Sequence, residues 1–216
     1  MVETGPQFST PRHAVIVAHP ESHSFTMAVA DAYCEVVRTQ SQVAIVRDLY
    51  RLGFDPVLKA SERPTEGALE PATDVAAELE QLHGSDVFVL VYPIWFGAPP
   101  AIMKGYIDRV FGAGYVEPLR GEHLLGPAHP LLGGKRLLSI TSSGSTRRWL
   151  DEQGAWLSLQ TLFDGYLARS FWMDTPDHLH FESIVEGLGK DIVRGHLAEV
   201  RMRAGRMCDR LSRELA

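Results

Sequence analysis

Three short stretches of this 216-residue chain gather side chains able to do chemistry. The first, His19-Pro20-Glu21-Ser22-His23-Ser24-Phe25-Thr26, sets two imidazoles and three hydroxyls ahead of an apolar helical pattern. Backbone N–H groups at a helix start, helped by the dipole and by hydroxyls, make an anion site. The glycine fingerprint GxGxxG and the phosphate loop GxxxxGK[ST] are both missing, which argues against a dinucleotide site of the usual type and against an ATPase. Ordinary capping by Ser24, with His19 and His23 on the surface, reads the same residues equally well.

The second stretch is Tyr92-Pro93-Ile94-Trp95-Phe96-Gly97-Ala98-Pro99-Pro100. A Trp-Phe pair in a Pro/Gly-rich loop at a strand's end suits a wall for a flat aromatic ligand. Offset ring contacts add roughly 0.5–1.5 kcal/mol beyond area burial. A plug for the core or for a dimer interface is the alternative. The third stretch, Thr141-Ser142-Ser143-Gly144-Ser145, is small and polar. Its N–H and hydroxyl groups suit a heteroaromatic edge, although any hydrophilic turn could look like this. An anion cradle, an aromatic wall and a polar edge together fit a flavin.

The elements around these stretches give them their place. His13–Ala18 is a short apolar run of the kind buried on both faces of a parallel sheet. Phe25, Ala28, Val29, Ala32, Val36 and Val37 recur at helical steps behind Ser24. Further strands are expected at 42–47, Asp86–Tyr92 and Lys135–Thr141, with a last one within Phe171–Phe181. Further helices are expected around Val75–Leu82, after Pro99 and Pro100, over 154–168 and over 190–215. The last should bury Val193, Leu197, Val200, Ala204, Met207, Leu211 and Leu215. Five strands alternating with five helices predict an α/β fold, an open doubly wound parallel sheet with helices on both faces. Ligands bind such sheets beyond the strands' carboxyl ends, where the strand order reverses. The chain reads as one domain, 1–216, with a polar tail at 1–12. Two loop excursions follow, 48–72 (a lid or a packing segment) and 112–134.

The composition is that of an ordinary globular protein, 45% hydrophobic and 22% charged. A formal charge of −6 lacks the basic footprint of a nucleic-acid binder. No apolar run approaches the roughly 18 residues that span a bilayer, and the first residues show no signal profile, so a cytoplasmic protein is expected. Cys34 and Cys208 have no CxxC partner and read as buried, reduced thiols. His178-x-His180 invites a metal reading, but no third ligand stands at a suitable spacing, and no metal is expected. Seven basic residues against four acidic ones in the last helix read as a solvated face.

AHPESHSFTMAV, YPIWFGAPPAIMKGYIDRVFGAGY and KRLLSITSSGS stand in this order along the chain. With their spacing, they resemble the flavodoxin-like NAD(P)H:quinone reductases of the DT-diaphorase type and their bacterial relatives, over roughly residues 13–182. The resemblance implies a flavodoxin-like five-stranded parallel sheet, a bound FAD (alternatively FMN), NAD(P)H as hydride donor and a homodimer with sites at its interface. It also implies ping-pong, two-electron reduction of quinones or related acceptors. By position, His19, Ser24, Phe25 and Thr26 would hold the flavin's phosphates. Pro93, Ile94, Trp95 and Phe96 would line its ring, and Thr141, Ser142, Ser143 and Gly144 would bond its edge. Phe96 also matches the aromatic that stacks on nicotinamide or quinone, and Tyr115 matches a tyrosine reaching the site. Ser143 stands where the family often has glycine. Trp149 replaces a tyrosine at a cofactor-binding position, and Ala155 stands where the best-known members have a histidine. An accessory subunit of a potassium efflux system is the alternative function that relatives of this fold suggest.

Overall fold

The computed structural model describes residues 10–62, 71–113 and 131–214. Five strands, β1 (Arg12–Val17), β2 (Val43–Asp48), β3 (Val87–Pro93), β4 (Arg136–Ser142) and β5 (Asp177–Phe181), form one sheet in the order β2-β1-β3-β4-β5. Every pairing is parallel. The chain moves outward from β1 to β2 and then jumps back across it to β3, so the order reverses between β1 and β3. At that point two loops diverge and leave a crevice at the strands' carboxyl ends.

Central β3 is buried along its whole length and β1 at five of six positions. This is why both read as unbroken apolar runs rather than as alternating ones. Successive side chains point to opposite faces. Val15, Val17, Val89, Val91, Leu138 and Ile140 pack under α1 (Phe25–Thr39) and α7 (Lys190–Glu214). Ile16, Phe88, Leu90 and Tyr92 pack on the other face, against Val75 and Leu82 of α2 (Thr73–Leu82) and Met103 and Tyr106 of α3 (Ala101–Tyr106). Among the described residues no helix is long and apolar enough to cross a membrane.

The first four strands fall within about one residue of the sequence reading and β5 takes the last five residues of Phe171–Phe181, but the helices differ more. A short helix, α4 (Arg147–Glu152), starts behind Thr146, whose hydroxyl accepts from the Trp149 N–H at 3.2 Å. Its six residues give too little periodicity to be seen in the sequence. The helix expected over 154–168 is broken into α5 (Ala155–Leu159), a π-helical segment (Gln160–Tyr166) and α6 (Leu167–Ser170). A second π-helical segment, Ile107–Phe111, extends α3. In α7, Val193 and Leu197 are only half-buried, while Cys208 joins the buried stripe; Leu215 lies outside the described residues. Strand β1 starts at Arg12, inside the expected tail.

The described part of the 48–72 excursion packs against α3. The Arg109 side chain, 1% exposed, bonds Glu62 (2.6 Å), Asp74 (2.7 Å) and the Asp55 carbonyl (2.6 Å). Gly105 is glycine because a Cβ there would stand 2.2 Å from the Pro56 carbonyl oxygen.

Candidate functional site

Residues of all three stretches lie beyond the carboxyl ends of β1, β3 and β4, where the strand order reverses. In the first, Ser24 caps α1 in an extended conformation and its hydroxyl accepts from the Met27 N–H at 3.3 Å. The Ser24 carbonyl takes the Ala28 N–H. The Phe25 and Thr26 amides, as the first two of the helix, have no intrahelical acceptor. Phe25 offers this amide rather than its ring, which packs edge-on against Phe181 at 5.5 Å. His19 Nδ1 accepts from the Glu21 N–H at 3.1 Å, and its ring lies 5.8 Å from that of Trp95. Arg51, just past β2, donates to the His19 and Pro20 carbonyls at 2.6 Å each. Sequence reading missed Arg51, because its only signal is an arginine in a loop that the fold brings alongside.

In the second stretch, Trp95 and Ala98 exchange backbone hydrogen bonds at 3.0 and 3.1 Å. The two residues between them, Phe96 and Gly97, have φ of 50° and 78°. Positive φ at both central positions is the type I′ arrangement. Glycine accepts it freely, whereas for an aromatic side chain it costs on the order of 1–3 kcal/mol. Phe96 is also 108% exposed and Trp95 40% exposed. Pro93 and Ile94 are buried at the loop's root, where the Ile94 N–H donates to the Ser142 carbonyl at 2.7 Å.

In the third stretch, Ser142 and Ser143 are buried and Gly144 is exposed. The Ser143 N–H is already given to the Phe181 carbonyl at 2.9 Å. The Thr141 hydroxyl lies between His178 Nε2 (2.7 Å) and His180 Nδ1 (2.9 Å). Trp149, half-exposed on α4, follows directly. Tyr115 lies outside the described residues. Ala155 borders the second stretch, since a Cβ on Gly97 would stand 3.8 Å from its own.

The donor set suits a flavin. Two helix-start amides with no partner among the described residues, the capping serine and buried Thr26 match a phosphate. Exposed Trp95 and Phe96 offer an aromatic rim, and small Ser142 and Gly144 let a planar edge approach the backbone. Sequence reasoning took His178 and His180 only as a metal pair, although their i, i+2 spacing on a strand already placed them on one face. Their ring nitrogens go instead to Thr141, Asp164 and Ser143.

This crevice over a 2-1-3-4-5 parallel sheet is the architecture of the flavodoxin-like proteins. A family model described as flavodoxin-like fold matches residues 11–203, and the chain belongs to that family. NAD(P)H dehydrogenase [quinone] 1 from Cavia porcellus is 30% identical over 62% of this chain and 54% of its own length. The chain spans about half to two-thirds of the length of the curated relatives it matches. The fold is shared with an NAD(P)H:quinone oxidoreductase from Methanothermobacter marburgensis (TM-score 0.79, 23% identity, 92% of this chain and 98% of that one). It is also shared with an FMN-dependent NADH-azoreductase from Bacillus anthracis in complex with FMN (TM-score 0.61, 16% identity, 91% and 99% covered).

Proposed function

We propose that the chain is an NAD(P)H-dependent flavin oxidoreductase that reduces quinones or related acceptors by two electrons. The observation that carries this reading is Phe96. A fully exposed aromatic held at φ 50° gains nothing for stability, and it stands in the loop after β3, at the carboxyl end of the sheet where a planar acceptor would stack. When bound, a flavin supplies the redox chemistry, taking hydride from a nicotinamide and giving it to the acceptor. The chain's own residues bind and orient it. Ser24 and the Phe25 and Thr26 amides hold phosphate at the α1 dipole, with His19 steadied by Arg51. Trp95, Phe96 and Trp149 wall the ring, and Ser142 and Gly144 meet its polar edge. The sequence favours FAD; the FMN of the structurally similar azoreductase supports FMN.

We also infer a homodimer. Leu157 (69% exposed), Leu162 (54%) and Tyr166 (60%) leave apolar surface on α5 and the π-helical segment after it. This surface is close to the aromatic rim, so a second copy would complete the wall.

The test is the visible spectrum of the purified protein before and after anaerobic NADPH, with the released chromophore identified. A yellow protein bleached by NADPH and recoloured by a quinone is the expected result, and the chromophore then separates FAD from FMN. A colourless protein that takes up neither flavin overturns the reading.

A further inference from the structure

With Ala155 where the best-known members of the resembled family have a histidine, the proposed reaction needs another route for protons. A quinone that receives a hydride needs one more proton to become a hydroquinone. Strand β5 carries His178 and His180 on one face, opposite Thr141 of β4 and beneath the π-helical segment, Gln160–Tyr166. Asp164, turned inward by that segment and 5% exposed, accepts from His178 Nδ1 at 2.6 Å and from the Ser139 hydroxyl at 2.8 Å. His178 Nε2 meets Thr141 Oγ1 at 2.7 Å, Thr141 Oγ1 meets His180 Nδ1 at 2.9 Å, and His180 Nε2 meets Ser143 Oγ at 3.2 Å. Trp156 covers both rings, with centroids 4.8 Å from each, and the Arg147 guanidinium lies 4.0 Å above Trp156.

We propose that Asp164, His178, Thr141, His180 and Ser143 form a proton relay between the interior and the third stretch of the crevice. Its destination rests on the flavin reading above; its operation does not. The hydrogen-bond pattern allows two complete assignments that differ by one proton. In the first, His178 is neutral with its hydrogen on Nδ1, Thr141 donates to His178 Nε2, and His180 donates from Nδ1 to Thr141. In the second, His178 is an imidazolium donating to both Asp164 and Thr141. Thr141 then donates to His180 Nδ1, and His180 donates from Nε2 to Ser143, whose own hydrogen goes to the Ser145 carbonyl at 2.8 Å. A proton arriving at His180 Nε2 therefore displaces the Nδ1 hydrogen to Thr141 and the Thr141 hydrogen to His178. Each N–H or O–H bond broken is matched by one formed, no electrons are transferred, and the positive charge ends beside the Asp164 carboxylate. Run backwards, the Ser143 hydroxyl turns from the Ser145 carbonyl and gives its hydrogen to an acceptor in the crevice as it takes the hydrogen of His180 Nε2, so one O–H bond breaks and one forms.

The environment separates the two rings. Burial, helped by neighbouring His178 and Arg147, pushes the His180 imidazolium down to a pKa of about 4. His180 thus passes a proton without keeping it, whereas His178 has a carboxylate to pair the charge. Asp164 and His178 also line an open depression with Gln160, Thr161 and Arg169. Charged and titratable groups around the rings are Asp164 from the π-helical segment, Arg147 from α4, Arg169 from α6, and Asp177 and Glu182 at the two ends of β5. π-Helical turns of this kind recur at functional sites.

Long-range proton–nitrogen NMR correlations of the histidine rings, recorded on the full chain without flavin across the range in which histidine titrates, test the relay directly. When the relay holds the additional proton, His180 should stay neutral and its hydrogen should move from Nδ1 to Nε2. In Thr141→Val, which keeps the shape and loses the hydroxyl, the His180 tautomer should no longer follow His178. A His180 tautomer that ignores His178 in the wild type, or a His180 that takes the charge itself, overturns the proposal whether or not the variant folds. A coupled tautomer switch in a protein that refuses flavin would keep the relay and remove the proposed function; a flavoprotein with no switch would do the reverse. In the flavin-loaded protein, His178→Gln should slow acceptor reduction on the order of tenfold, less than the 10²–10⁴ of a direct proton donor, and flatten its pH profile. An unaltered profile would overturn the destination.

Discussion

Phe96 concentrates the tension between stability and function in one residue. Its side chain is fully exposed, so truncation loses no buried area, and its backbone conformation suits glycine. Phe96→Gly is expected to leave Tm unchanged or slightly higher, because relief of about 1–3 kcal/mol of strain offsets the extra freedom of the unfolded chain. Acceptor turnover should fall while flavin is retained; calorimetry beside steady-state kinetics checks both, and equal loss of flavin and turnover would count against the acceptor role. Ser24→Ala removes the α1 cap. A cost of about 1 kcal/mol lowers Tm by roughly 2–4 °C in a chain of this size, and flavin affinity measured by fluorescence titration should drop with it. At this scale the sequence was legible where residue type alone decides, as in the Trp-Phe loop and the Ser24 cap. It was silent where direction decides. Thr141 reads as a donor to a ligand edge, and residue type alone does not show that its hydroxyl also meets His178 and His180.

The elements divide in the same way. Strands β1, β3 and β4 are buried along nearly all their length, so their residue types announce them, and the crevice follows from their order. The π-helical segments could not be read, because their cause is tertiary: a wider turn lets Asp164 point at β5. The 48–62 excursion likewise looked irregular until Arg109 supplied its anchor. Gly105→Ala sets a methyl group against the Pro56 backbone and should destabilise by about 1–3 kcal/mol, read from urea unfolding. The Arg109 hydrogen bonds hold the Glu62 and Asp74 carboxyls below their ordinary range. A carboxylate lowered in the native state adds stability above its unfolded pKa of about 4, and that stability is lost as pH falls through the lower native value. Tm should therefore fall as pH drops from about 4 towards the lower native values, and Arg109→Met should flatten that fall while lowering Tm at neutral pH.

At the scale of the whole molecule, the exposed apolar surface on α5 and its π-helical continuation predicts association. Leu157→Glu with Leu162→Glu should halve the sedimenting mass, and acceptor reduction should fall with it if the second copy completes the aromatic wall. A wild type that sediments as a single 24.0 kDa chain would remove the dimer. The sheet order carries a consequence for lifetime. His178 and His180 stand on β5, which among the described residues is an edge strand paired on one side only, to β4. Edge strands open locally at a fraction of the cost of global unfolding. Fraying of β5 would scatter the histidines and loosen Phe25 from Phe181, while β1 and β3 stay paired and the Ser24 cap stays formed. A warmed sample should then pass through a state that still holds its yellow colour but has become a poor catalyst, with the β5 amides exchanging hydrogen before those of β3. Operating temperature would in that case be set by the rim of the sheet, well before the core gives way.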